Sequence, residues 1–204
     1  MKRYIFNINW AFTLLALITF VSRLEAQQAS TVRKWFVPDH VVVQYAGSIG
    51  FISGGAGYDL FKTKNANLDF LFGHVPRFTG SKAINSITLK FNALPIRVVI
   101  NERTTLYPLT AGAYICYTPG NAYTSRLPSW YPDGYYWWSE AIRANLFIGG
   151  SVNFSLQGMK EKSRLTAYYE LGTNEIKLVS YVQNLHELSI WNIVHGGFGF
   201  RYHF

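Results

Sequence analysis

Ile142 to Leu156 alternates without a break. Ile142, Ala144, Leu146, Ile148, Gly150, Val152, Phe154 and Leu156 take the even positions; Arg143, Asn145, Phe147, Gly149, Ser151, Asn153 and Ser155 take the odd ones. Side chains of a strand point alternately to opposite faces, so the run predicts one apolar face and one mostly polar face. Fifteen residues in register exceed a typical soluble strand. The length suits a tilted strand that crosses a bilayer and extends beyond it.

The same pattern recurs along the chain. Val41, Val43, Tyr45, Gly47, Ile49 and Phe51 share a face opposite Val42, Gln44, Ala46, Ser48 and Gly50. After Gly54-Gly55 the apolar parity switches to Ala56, Tyr58 and Leu60, opposite Asp59, as a β-bulge or a tight hairpin would cause. Further strands are predicted around 68–72, 87–91, 96–100 and 109–117, then 142–156, 165–182 with a bulge at 172–174, and from Trp191 to the C-terminus. In the last strand Phe198, Phe200, Tyr202 and Phe204 alternate with Gly199, Arg201 and His203. The count is eight, or ten if the Gly54-Gly55 region is a turn and a further hairpin is hidden. The predicted fold class is all-β: a closed antiparallel transmembrane β-barrel, whose closure satisfies backbone groups that lipid cannot.

Composition agrees. Of the 204 residues 49% are hydrophobic and 17% aromatic, yet beyond residue 26 no run is long and uncharged enough for a membrane-spanning helix. Met1-Lys2-Arg3, the apolar stretch Trp10 to Val21 and Ala26 before Gln27 have the layout of a secretory signal peptide. The predicted organisation is a signal peptide at 1–26, a periplasmic lead at 27–39 and an outer-membrane barrel at 40–204. Cys116 is the single cysteine, so no intramolecular disulfide framework forms. The formal net charge is +8. On an exported chain with scattered basic residues this favours anionic lipid or lipopolysaccharide phosphates as partners, not nucleic acid.

Parity places Gln44, Asp59, Asp69, Lys90, Arg97, Arg143, Asn145, Glu170, Lys177, Arg201 and His203 on the inner face. Buried charges must pair, and an eight-stranded barrel is just wide enough for side chains to fill it. The expectation is a salt-bridged lumen built on Asp69, Lys90, Arg97, Arg143, Glu170 and Arg201, with Arg143 and Glu170 as a pair across adjacent strands. Tyr45, Phe72, Phe91, Tyr117, Phe154, Tyr169 and Phe204 are candidates for interfacial aromatic girdles.

The signal segment, the strand count and the terminal Phe204 together resemble small Gram-negative outer-membrane barrels of the OmpA and OmpX size class. That size class also includes the lipid A palmitoyltransferase and 3-O-deacylase. The resemblance covers the whole mature chain through general features. It implies Phe204 as a membrane-insertion signal and the barrel-assembly machinery as a partner. The deacylase's His-x-Ser-Asn motif is missing: His195 precedes Gly196-Gly197, and His203 precedes Phe204.

The nearest catalytic arrangement is His186 with Ser189, a spacing that arises commonly by chance, and a non-enzymatic role is favoured. His40, His74 and His203 lie near strand ends on the first, second and eighth predicted strands, where three imidazoles could bind zinc. Interfacial histidines are common, so neither a metal nor a cofactor is assigned. The best binding candidate is the loop over 118–138, with Trp130, Tyr131, Tyr135, Tyr136, Trp137 and Trp138. Its aromatics suit an extracellular ligand, a glycan or lipid headgroups; the more ordinary reading is a loop folded on the barrel rim, with Tyr135 to Trp138 as membrane-interface anchors. The expected localisation is the bacterial outer membrane. The expected role is structural or surface-interacting, with lipid A modification and small-solute conduction as the alternatives.

Overall fold

The computed structural model describes residues 36–61, 63, 65–77, 82–120, 139–156 and 163–204. The predicted signal peptide and the loop aromatics Trp130, Tyr131, Tyr135, Tyr136, Trp137 and Trp138 lie outside the described residues.

The wall strands are β1 (His40–Ala46), β2 (Ile52–Leu60), β3 (Ala66–Val75), β4 (Ile84–Ala93), β6 (Thr104–Tyr117), β7 (Ile142–Ser155), β8 (Arg164–Asn174) and β9 (His195–His203). The two-residue β5 (Val98–Val99) pairs only with the start of β6. Each wall strand pairs antiparallel with its neighbour. β4 pairs directly with β6, and β9 pairs with β1, so the sheet closes on itself.

The strands are strongly staggered. Ladder partners followed from His40 run through Gly57, Asp69, Lys90, Tyr114 and Asn145 to Asn174, the last residue of β8. Followed the other way, they run through His203 to Arg164, the first residue of β8. A closed sheet with this offset has tilted strands. Residues at one height therefore come from widely separated parts of the sequence.

Two differences from the sequence reading compensate. The chain turns at residues 47–51, with Ala46, Gly47 and Ser48 all at positive φ. The predicted first strand is therefore a hairpin, and Gly54 and Gly55 lie inside β2. Conversely, the predicted strand at 96–100 is not part of the wall. It forms an exposed hairpin with the start of β6, closed by the Asn101 side chain, which accepts from the backbone of Arg103 and Thr104. The wall has eight strands because one was gained and one lost.

Inserting a turn before residue 66 also reverses the direction of β3 and β4. β3 thus ends and β4 begins at the end away from the two barrel termini, and 94–103 lie at the terminal end. Further on, the strand reading of 175–182 gives way to helix α1 (Glu175–Gln183), and α2 (Ile190–Ile193) precedes β9. Asn174 caps α1, its side chain accepting from Lys177 N at 2.9 Å. Lys177 is accordingly helical and no part of an inner strand face. Asn caps and an acidic first-turn residue such as Glu175 favour a helix start, and those were the signals in the sequence.

Gly54 and Gly55 are a sensitive check on the closed wall. A Cβ at Gly55 would land on the Phe70 carbonyl oxygen of β3, whereas at Gly54 the nearest heavy atom is 3.9 Å away. G55A is expected to cost roughly 1–3 kcal/mol or more because backbone must move. G54A is expected to be neutral or stabilising by about 0.4–1 kcal/mol. Urea unfolding of both variants measures the contrast, and equal midpoints would contradict this packing.

Candidate functional site

The lumen carries the polar chemistry. Lys90, Asp69, His40, Gln44 and Thr88 have no solvent exposure, and Glu170 and Arg201 are nearly as buried. β1, β3, β4, β8 and β9 aim these groups inward because each sits on the inner parity of its strand.

Two networks share the interior. In the first, Lys90 forms an ion pair with Glu170 and donates to Gln44 Oε1 at 2.9 Å. Gln44 Nε2 donates to Glu170, and the Tyr168 hydroxyl donates to Gln44 Oε1 at 2.9 Å. The Lys90 ammonium also lies 4.7 Å from the Phe147 ring centroid, within cation–π range. In the second network Asp69 Oδ2 accepts from Arg201 Nη2 at 2.9 Å, Arg201 Nε at 3.2 Å and Asn92 Nδ2 at 3.0 Å. Its other oxygen lies 2.6 Å from His40 Nε2. Asn92 links onward to Asn67. Tyr168 joins the two networks, because the Arg201 guanidinium lies 4.1 Å from its ring centroid.

Asp69, Lys90, Glu170 and Arg201 are thus brought together in the lumen, but the pairing differs from expectation. Glu170 pairs with Lys90, and Arg143 reaches Glu175 at 3.7 Å near the rim. The strand stagger sets β7 and β8 so that Gly149, not Arg143, stands opposite Glu170. Arg97 is exposed in the 94–103 connection, because β4 pairs directly with β6 and leaves that segment outside the wall. Tyr114, Tyr168, Asn67 and Asn92 are inner residues that the polar count omitted. Alternation alone placed both tyrosines on the inner parity.

The end away from the termini is closed by the 47–51 turn. Ile49 is buried there, Ser86 Oγ donates to its carbonyl, and the Tyr114 hydroxyl donates to Gly47 O and lies 3.0 Å from His195 Nε2. The base of the 118–138 loop emerges at the same end, tied by Thr118 N to Ala141 O and by the Ser139 hydroxyl accepting from Ala141 N. His186 lies in an exposed turn after α1, and the Ser189 hydroxyl caps α2. His74 also lies at this end, bonded to Asn85 and remote from the termini.

At the terminal end, β9, β1 and β2 bring His203, His40 and Asp59 together, with Arg164 of β8 beside them. The two imidazole centroids are 4.8 Å apart. Phe204 donates its backbone N–H to Asp39 O and packs edge-on against Tyr202.

The outer face is apolar on every wall strand: Val43, Tyr58, Phe70, Leu89, Ile115, Ile148, Tyr169 and Phe200 are all exposed. The seven girdle candidates, Tyr45 through Phe204, are exposed as well. A groove of about 450 Å³ runs along this outer face below α1, walled by Leu89, Phe91, Ile115, Leu146 and Leu178.

No protein-family model, curated protein or solved structure matches this chain.

Proposed function

We propose that the chain is an integral barrel of a Gram-negative outer membrane, with a structural or surface-interaction role in the envelope. The observation that carries this reading is the inverted polarity of the wall. Lys90 and Asp69 are fully buried, whereas Phe70 is 59% and Leu146 58% exposed. In water such a barrel would bear both the desolvation of its charges and a continuous apolar surface. In lipid the outer face is solvated by acyl chains, and the lumen supplies each charge with a partner. The 450 Å³ groove under α1 is then filled by lipid, and Leu178, Val182 and Trp191 of the exposed helical segment lie at the bilayer interface.

In this reading the termini face the periplasm, and the 118–138 loop and the helices face outward. Lipopolysaccharide surrounds the wall, and the barrel-assembly machinery inserts the chain through β9. The filled lumen favours structure over conduction. The expected result is a full chain that stays in the membrane pellet through carbonate extraction and migrates faster on gels unboiled than boiled. Complete carbonate extraction would sink the membrane reading. Lipid A mass spectrometry of deletion and overexpressing strains tests the role, with an unchanged acyl pattern expected. An acyl chain lost or added on overexpression would replace this role with an enzymatic one.

A further inference from the structure

We propose that His40, His203 and Asp59 form a divalent transition-metal site at the terminal end of the lumen, suited to zinc, from which Arg164 withdraws on binding. It rests on the geometry of that end alone and holds whichever solvent surrounds the wall.

The donor atoms come from three consecutive wall strands, β9, β1 and β2, and lie within 4.8 Å of one another. Gly57, the ladder partner of His40, leaves the space in which the His40 ring sits; a Cβ there would strike both that ring and Asp69. His40 Nε2 lies 2.6 Å from Asp69 Oδ1. A carboxylate only accepts, so Asp69 holds a ring proton at Nε2, and in the neutral ring Nδ1 keeps its lone pair. That Nδ1 is fully buried and, among the described residues, has no hydrogen-bond partner. It faces Asp59 Oδ1 at 3.6 Å, and His203 Nδ1 faces the same oxygen at 3.7 Å. Three ligand atoms therefore converge on one space, where positive charge is stabilised, as a second proton on His40 or as a metal ion that displaces it.

Arg164 supplies part of that charge. Its Nη2 lies 3.3 Å from Asp59 Oδ2 and 3.3 Å from His203 Nδ1, but the His40 lone pair remains unserved. The Arg164 side chain is 28% exposed at the start of β8, so it can turn out to solvent at the rim. Tetrahedral zinc with bonds of about 2.0–2.2 Å sets its ligand atoms roughly 3.4 Å apart, close to the 3.6 and 3.7 Å between Asp59 Oδ1 and the two Nδ1 atoms. Two imidazoles with one carboxylate favour zinc over calcium or magnesium, which prefer oxygen ligands. Asp69 then completes a carboxylate–histidine–metal relay. It is itself held by Arg201 and Asn92. A small cavity bordered by Asp59, Arg164, Arg201 and His203 leaves room for a water as fourth ligand.

The test is calorimetric titration of chelator-treated full chain with zinc chloride in detergent, with folding of each variant verified by heat-modifiable mobility. One zinc per chain is expected. H203Q should weaken binding by roughly tenfold or more, on the scale of shell losses in zinc sites. R164A, which removes the cation competing for Asp59 and His203, should strengthen it by about tenfold at an unchanged one zinc per chain. H186A, at an exposed histidine outside the barrel, should change nothing. The proposal is overturned if neither the parent nor R164A binds zinc. It is equally overturned if H203Q binds like the parent, or if H186A abolishes binding.

Discussion

Replacing Lys90 alone with methionine is expected to destabilise the barrel by about 3–5 kcal/mol. The double variant K90M/E170L is expected to recover most of that loss. Lys90 and Glu170 are 0% and 2% exposed, so neither has water to fall back on. In K90M the Glu170 carboxylate keeps, among the described residues, only the Gln44 amide as a donor, and a buried charge left without its counter-ion is costly. Removing both charges removes the cause. The Tyr168 hydroxyl still donates to Gln44, so the amide oxygen is not orphaned. Urea unfolding of the parent, K90M, E170L and K90M/E170L, followed by tryptophan fluorescence, gives the four midpoints of a double-mutant cycle. A single variant within about 1 kcal/mol of the parent would show that the pair does not hold the lumen. A double variant no better than the single would show that packing, not charge, is what was lost.

That network also shows how far the sequence alone reached. Period two sorted the faces correctly wherever strands were recognised: Val43 and Tyr45 point out and Gln44 in, Ile148 out and Asn145 in, Phe200 out and Arg201 in. Partners were another matter. Lys90 and Glu170 are 80 residues apart and Asp69 and Arg201 are 132 apart, and only the stagger of the closed wall sets them at one height. Alternation says which face a residue takes but nothing about its height along the barrel axis.

One missed turn accounts for most of the remaining differences. The parity switch is visible in the sequence and falls there at Gly54-Gly55, but a bulge and a hairpin both produce one. Three successive positive-φ residues at 46–48 decide for the hairpin; Gly47 and Ser48 are ordinary turn residues, but Ala46 carries no turn signature. Reading that turn as straight strand reversed β3 and β4. It sent His74 to the wrong end, away from His40 and His203. It also required Arg97 on a wall strand to restore the count. With the turn in place, the longer 76–83 connection and the 118–141 loop leave from the same end, and a hairpin of 94–103 closes the other. The helix at 175–183 was missed for a different reason. Ile176, Leu178 and Val182 fit a strand parity as well as a helical spacing, and no buried face exists to discriminate, since α1 buries none of its residues.

The size of one substitution's effect separates lipid from water around the wall. Leu89 sits mid-strand in β4, flanked by Phe70 and Ile115, and all three are about half exposed. In a bilayer, L89R is expected to destabilise the barrel by about 2–4 kcal/mol, because an arginine at mid-depth must drag water or headgroups into the hydrocarbon. In water the same change replaces an exposed apolar side chain with a charged one, and surface substitutions of that kind stay within about 0.5 kcal/mol. Val99 supplies the internal control. It is 61% exposed, but it lies on β5, beyond the wall at the terminal rim. V99R should therefore cost about 0–1 kcal/mol in either solvent, as interfacial positions do. Equilibrium unfolding in phospholipid vesicles measures both. A penalty at Leu89 that is absent at Val99 can arise only from a depth-dependent surrounding medium, which water is not. Equal and small effects at the two sites would move the barrel out of the membrane, whatever the polarity of its lumen.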